Sequence, residues 1–236
     1  MKVELLKNGD FKSSYIIKDI DANIANTLRR TIIEEVPVMA VDSVTFVKNN
    51  SALYDEVLAH RIGLVPLKTE GKASGKTTVE LSLKKIGPCI VYSGDIKGEP
   101  VVVYDKIPLT ILEKEQEIEM TATATIGTGL EHTKHVPGLL YYRYLSEVKS
   151  GNAKIDSIVQ TVRGEMNPDK QGNKWICDLT DAQADEIREI DKDSIKDSNE
   201  LILVVESFGM MDAAKIFIKS IETLRKNVET FEESLK

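Results

Sequence analysis

Cysteine is almost missing from this 236-residue chain: Cys89 and Cys177 are the only two. They form neither a disulfide framework nor a C-x-x-C pair, which suits a reducing cytosol. No run approaches the roughly 18 consecutive apolar residues of a membrane span, so no membrane contact is expected. The opening Met1-Lys2-Val3-Glu4-Leu5-Leu6-Lys7 lacks the apolar core of a signal peptide, so no secretion is expected and the chain reads as cytoplasmic. Basic charge is short as well. Against 38 Asp and Glu stand 31 Lys and Arg, a net −7, whereas a surface that grips phosphates is basic; no direct nucleic-acid binding is expected. The deficit is local. Between Cys177 and Glu200 nine acids face only Arg188, Lys192 and Lys196, which reads as a solvated acidic face or loop.

Catalytic motifs are lacking too. Gly71-Lys72-Ala73-Ser74-Gly75-Lys76-Thr77 approaches a phosphate-binding loop but has three residues between its glycines where four are needed. The strand-like alternation after it denies the phosphates a helix N-terminus, so it reads as a hairpin or loop. The only histidines are His60, His132 and His135. The last two are three apart before Pro137, and no H-E-x-x-H is present, so they read as structural or surface groups. There is no Gly-x-Ser-x-Gly elbow and no Cys beside a His. The acid pairs Glu34-Glu35 and Glu232-Glu233 sit on helices, where adjacent residues diverge. No catalytic or metal-binding constellation is found.

What is present is an ordinary globular composition, 42% apolar and 29% charged, at a length for one large domain or two small ones. The first 20 residues read as strand. Asp21 is a candidate cap for a helix over about 22–36, with Ala25, Leu28, Ile32 and Val36 on one side and Pro37 as its stop. Residues 40–48 read as strand. The next hundred are mostly β: Val79, Leu81 and Leu83 alternate, short apolar runs follow at 90–92 and 101–104, and alternation is clear from Ile118 to Ile126. Another strand is expected at 139–145. Residues 151–194 are polar and weakly periodic, with a short helix near 181–190.

The most regular part comes last. Leu201-Ile202-Leu203-Val204-Val205 is an unbroken apolar run, the mark of a strand covered on both faces. Gly209 turns the chain into a helix of about 25 residues. Its apolar positions fall in two heptad series, Ala214, Ile221, Val228, Leu235 and Met210, Phe217, Leu224, Phe231, with Ile216 and Ile218 broadening the first turns. A narrow seam of that length needs another helix, and the chain's other clear helix is half as long. Either a second chain supplies part of the packing, or the helix simply faces the core.

Three stretches together resemble one family. Ala22-Asn23-Ile24-Ala25-Asn26-Thr27-Leu28-Arg29-Arg30-Thr31-Ile32-Ile33-Glu34-Glu35-Val36-Pro37 is similar to the first helix of the α-like subunits of RNA polymerase. Leu53-Tyr54-Asp55-Glu56-Val57-Leu58-Ala59-His60-Arg61-Ile62-Gly63-Leu64-Val65-Pro66-Leu67 resembles the motif that opens their insertion domain. Val204-Val205-Glu206-Ser207-Phe208-Gly209 before a long helix looks like their return to the dimerisation domain. The resemblance, nearest to the archaeal forms, implies a non-catalytic subunit that heterodimerises with a smaller α-like partner, subunit L. The pair then adds subunits N and P and docks the second-largest subunit. It implies a partner interface on Ala25, Leu28, Ile32, Ala214, Phe217, Ile221, Leu224, Val228 and Phe231, of the order of 1,200–2,000 Å² or more. It also implies a large-subunit contact through Arg29 and Arg30, whose planar forks suit carboxylates and carbonyls; a solvated helix face is the plainer alternative for both.

The chain departs from the family in two places. Many archaeal relatives carry a ferredoxin-like segment with iron–sulfur clusters where residues 151–194 lie. A four-iron cluster needs four thiolates, and that region holds only Cys177. Eukaryotic relatives carry a zinc-binding cysteine loop, absent from residues 70–87. Neither iron–sulfur cluster nor zinc is therefore expected. The expected fold class is α+β: a discontinuous dimerisation domain (1–47 and 195–236) with two helices on a small sheet, a mainly β insertion domain (48–150), and an acidic, cluster-less segment (151–194). A bacterial-type homodimeric subunit would append a further domain beyond the helix, which counts against that form. A stand-alone enzyme using the histidines or the 71–77 loop, and an unrelated adaptor, are the remaining rivals.

Overall fold

A computed structural model describes residues 2–69 and 77–235. In chain order these form β1 (Lys2–Asn8), β2 (Lys12–Lys18), α1 (Ala22–Glu34), β3 (Val38–Asn49), α2 (Asp55–Gly63), β4 (Thr78–Ile86), β5 (Cys89–Tyr92), β6 (Pro108–Leu112), β7 (Glu117–Gly127), β8 (Gly138–Lys149), α3 (Ala153–Gln160), β9 (Asp169–Gln171), β10 (Lys174–Cys177), α4 (Asp181–Ile190), β11 (Ile195–Ser207) and α5 (Ala213–Ser234). The class is α+β, as the sequence implies. No helix among the described residues is long and apolar enough to cross a membrane.

Six strands build one sheet in the order β1-β2-β11-β8-β10-β9. β11 lies at its centre because residues 201–205 are apolar at every position, and all five are fully buried. The alternation of strand side chains divides them. Leu201, Leu203 and Val205 join Tyr15, Ile17 and Leu140 under α1 and α5, whereas Ile202 meets Ile16, Leu145 and Ile176 on the opposite face. α1 starts where the sequence indicates: the Asp21 carboxylate accepts from the Asn23 and Ile24 amides at 2.7 and 3.1 Å. It stops at Glu34, two residues short of the expected end, because Pro37 disfavours a helical Val36. Its apolar side seats Ala25, Leu28 and Ile32 in the first core.

β3 leaves that core between neighbouring residues. Val38 packs with α1 and α5; Met39 and Val41 belong to a second core. The second core is built by a three-stranded sheet, β3-β7-β4, the two-stranded ribbon β5-β6, and α2, which contributes Leu58 and Ile62. Residues 101–104 do not form a strand; two bonds, Lys68 N to Val101 O and Val103 N to Pro66 O, tie them to 66–68.

Two expected boundaries fall elsewhere. β8, placed by the sequence with the insertion domain, pairs with β11 over most of its length, because Leu140 serves the helix-side core and Leu145 the opposite one. Residues 151–194 are more than a polar remnant. β9 and β10 extend the sheet, turning through Gly172 at φ +61°, where a side chain would be strained. α3 and α4 then close a small core of Val148, Ile155, Val159, Cys177 and Ile187. The strands have only three and four residues, too few to show a period. The α4 cap is complete: Thr180 and Gln183 bond reciprocally to each other's amides.

Candidate partner interface

α5 changes character along its length. Ala213, Ile216, Phe217 and Ser220 are buried, and the Phe217 ring stacks on Tyr15 with centroids 4.7 Å apart. From Arg225 to Leu235 every residue is exposed. The helix passes the end of α1, where the Asn227 side-chain amide donates to the Glu35 carboxylate. On this outer length the apolar seam continues uncovered: Ile221 is 46% exposed, Val228 60%, Phe231 65% and Leu235 72%.

The structure thus divides the nine interface residues expected from the sequence. Ile221, Val228 and Phe231 are exposed, and Ala214 and Leu224 half-buried. Ala25, Leu28, Ile32 and Phe217 lie inside the chain's own core and are closed to a partner. The reason is that α1 and the first turns of α5 cover β11, so one helical stripe serves two purposes along its length. The spacing is the same in both halves and cannot distinguish them. Two groups escaped the sequence reading. Ile24 projects from the start of α1, and Val3 and Leu5 lie exposed on the edge strand β1. Val3 pairs with Ile17 and Leu5 with Tyr15, so they carry the helix-side face of the sheet beyond β2. Their i, i+2 spacing was the available signal.

Arg29 and Arg30 lie on α1. Arg29 is half-buried, its Nε donating to Asn26 Oδ1 at 3.0 Å. Arg30 is exposed and holds both oxygens of Glu34 at 3.2 Å, which raises its pKa further. A surface pair of this kind adds little stability.

The groups with catalytic potential do not converge. His60 is exposed on α2. His132 Nδ1 accepts from the Lys134 amide at 3.0 Å. His135 is buried and donates from Nδ1 to the Val38 carbonyl at 3.0 Å, while burial holds its pKa below the usual imidazole value. Among the described residues no three His, Cys, Asp or Glu side chains form a metal-binding group. The thiols lie in different sheets, Cys89 on β5 and Cys177 buried on β10. Cys177 donates to Ser146 O at 3.7 Å, and burial, with help from Asp178, pushes its pKa to about 12. One buried, protonated thiol does not fit the donor set of an iron–sulfur cluster. Of the 71–77 loop, residues 71–76 lie outside the described residues.

A sheet carrying a long helix with a buried inner half and an uncovered apolar stripe on its outer half fits the class of proteins that pack against another chain. Comparison gives the particular family. The model of the RNA polymerase Rpb3/Rpb11 dimerisation domain matches residues 15–228. Over its whole length the chain is 32% identical to DNA-directed RNA polymerase subunit Rpo3 of Pyrococcus horikoshii, covering 98% of that protein. Over 99% of the chain it is 30% identical to Rpo3 of Halobacterium salinarum, covering 97% of that protein. Over an alignment of 158 positions, covering 63% of this chain and 60% of the relative, it is 40% identical to Rpo3 of Pyrococcus furiosus. The chain belongs to this family, the α-like subunits of DNA-directed RNA polymerase, and within it to the archaeal Rpo3 type.

Proposed function

We propose that the chain is the non-catalytic assembly and scaffold subunit of a cytoplasmic multisubunit RNA polymerase, and that the outer stripe of α5 receives the small α-like subunit L. One observation carries this reading: Ile221, Val228, Phe231 and Leu235 stand in water along one helix whose inner half is packed. Covering such a stripe stabilises a complex by roughly 25 cal/mol for each Å² of apolar surface removed from water. Val3 and Leu5 on β1 and Ile24 on α1 add further exposed apolar surface. The heterodimer then takes up subunits N and P. Arg29 and Arg30 face the second-largest subunit, with Arg30 exchanging Glu34 for a carboxylate or carbonyl of that partner. The nucleotidyl-transfer residues and their metal belong to another subunit, and this chain works with neither iron–sulfur cluster nor zinc.

Light scattering on the full chain, alone and co-expressed with subunit L, tests the reading. A sharp 1:1 complex is expected, lost in Phe231→Asp and retained in Tyr54→Asp, a still more exposed aromatic site just before α2. A stable monomer that ignores L sinks the proposal. Elemental analysis of the purified complex is expected to find no stoichiometric iron or zinc.

A further inference from the structure

Where β11 turns into α5, a cavity of about 530 Å³ opens between that turn and residues 68–69. Its walls are fixed by hydrogen bonds. The Thr69 amide donates to Met210 O at 2.8 Å, and its hydroxyl accepts from the Met39 amide at 3.0 Å. Ser207 Oγ donates to Met211 O at 2.5 Å and accepts from the Gly209 amide at 2.9 Å. The site therefore spends little order on being filled.

Among the described residues, three lysines, Lys68, Lys215 and Lys219, line the cavity against one acid, Asp212. Asp212 is already engaged: it makes no side-chain cap to α5 and instead pairs with Lys215 at 2.7 Å. Lys219 is half-buried, yet no hydrogen bond or ion pair joins it to any described residue. Burial is the foremost effect and lowers its pKa; Glu222, three residues further along α5, opposes this, and Lys215 adds to the lowering. A partly desolvated ammonium that forms no ion pair is costly, and a carboxylate placed between Lys68 and Lys219 would reduce that cost.

A second cavity, of about 300 Å³, shares Met210 with the first; Leu64, Pro66, Tyr104 and Phe208 line it together with Lys134, whose ammonium pairs with Asp42 at 3.3 Å. Leu64, Tyr104 and Phe208 are each more than two-fifths exposed. Through their shared wall at Met210 the two offer a cationic end and a mainly apolar end of one candidate groove. We propose that this groove docks a short acidic peptide segment of another protein, its apolar side chain between Tyr104 and Phe208 and its carboxylates on Lys68 and Lys219. Charge complementarity selects an acidic occupant, and the apolar half selects a peptide over a free anion. A net −7 over the whole chain disfavours a nucleic-acid backbone. Lys219 and Val228 lie nine residues apart, two and a half helical turns. The groove and the stripe offered to subunit L are therefore on opposite sides of α5, and the two proposals stand or fall separately.

The test uses the full chain labelled with ¹³C at methionine methyls, titrated with the peptide acetyl-Gly-Phe-Ser-Asp-Glu-amide. Met210 and Met211 line the cavity, whereas Met120 is buried in the second core. The expected result is a saturable shift of the Met210 and Met211 methyls with Met120 silent. Lys68→Gln and Lys219→Gln, each checked for an unchanged melting temperature, are expected to weaken binding about tenfold, as is raising the salt. Three outcomes overturn the proposal: no shift at Met210 and Met211; equal shifts from the Asn-Gln version of the peptide, which leaves only an apolar groove; or equal shifts from inorganic phosphate, which leaves only an anion site.

Discussion

Arg143 on β8 holds Asp178 through two parallel bonds of 2.6 Å, Nε to Oδ1 and Nη2 to Oδ2. The carboxylate is 1% exposed and also accepts the Glu165 amide at 2.8 Å. Bidentate geometry and the backbone bond use most of its acceptor capacity. This contact locks residues 151–194 to the large sheet on the side away from α1 and α5. A Cβ at Gly164 would collide with Asp178 Oδ2, so that position admits no side chain without displacing the carboxylate.

Asp178→Ala is expected to cost about 3 kcal/mol, since it strands a partly buried guanidinium. Gly164→Ala is expected to cost about 1–3 kcal/mol by forcing the same carboxylate aside. Urea denaturation followed by far-UV circular dichroism measures both. Changes below about 0.5 kcal/mol in both, the range of an ordinary surface substitution, would show that the lock is dispensable.

The single tryptophan reports acid stability. Trp175 Nε1 donates to Asp156 Oδ1 at 2.7 Å. That bond, foremost, lowers the Asp156 pKa from 3.8, against a smaller effect of burial. A carboxylate depressed in the folded state contributes stability that is complete above its unfolded pKa and lost as pH falls through the folded one. Tryptophan fluorescence is thus expected to hold steady down to about pH 4 and to change below it. Asp156→Asn should remove that component of the acid transition; an unaltered curve would contradict the assignment.

The two halves of α5 are expected to respond oppositely to truncation. Phe217→Ala opens a cavity beside Tyr15 and should cost about 3–5 kcal/mol of the chain's own stability. Phe231→Ala should change it by no more than about 0.5 kcal/mol while weakening association with subunit L. Thermal melts of the isolated chain and of the heterodimer separate these effects.

Thiol reactivity offers a simple count. In the native chain one cysteine, Cys89, is expected to react with a thiol reagent at about pH 8, and two after unfolding. Cys177 is buried and its thiol is held protonated. Two fast native equivalents would mean that the small core around Cys177 opens readily.

Much of this fold could be read from residue order alone. Asp21 and Pro37 mark the ends of α1, the run at 201–205 marks a doubly covered strand, and Ile118 to Ile126 marks β7. Other elements left no such trace. α2 has a weak apolar face, with Leu58 and Ile62 alone buried, and the sequence marks this stretch only as a family-like motif, not as a helix. β9 and β10 are shorter than any reliable period, although the Gly172-Asn173 turn between them is a hairpin signal. Four of the nine expected interface residues lie in the chain's own core for a different reason. Heptad spacing reports that a helix is covered, but cannot say whether its own chain or another covers it. The cationic groove unites residues 64–69, 104 and 207–219, which no local pattern connects.

The pairing of β2 with β11, in which Lys18 sits opposite Glu200, has a consequence for biosynthesis. The second core draws on strands from β3 to β7 and can close once residue 127 has cleared the ribosome. The first core waits for β11, which begins only at Ile195, so β1, β2 and α1 are synthesised early and completed last. During that interval the nascent chain presents an unfinished sheet edge of the kind that chaperones protect.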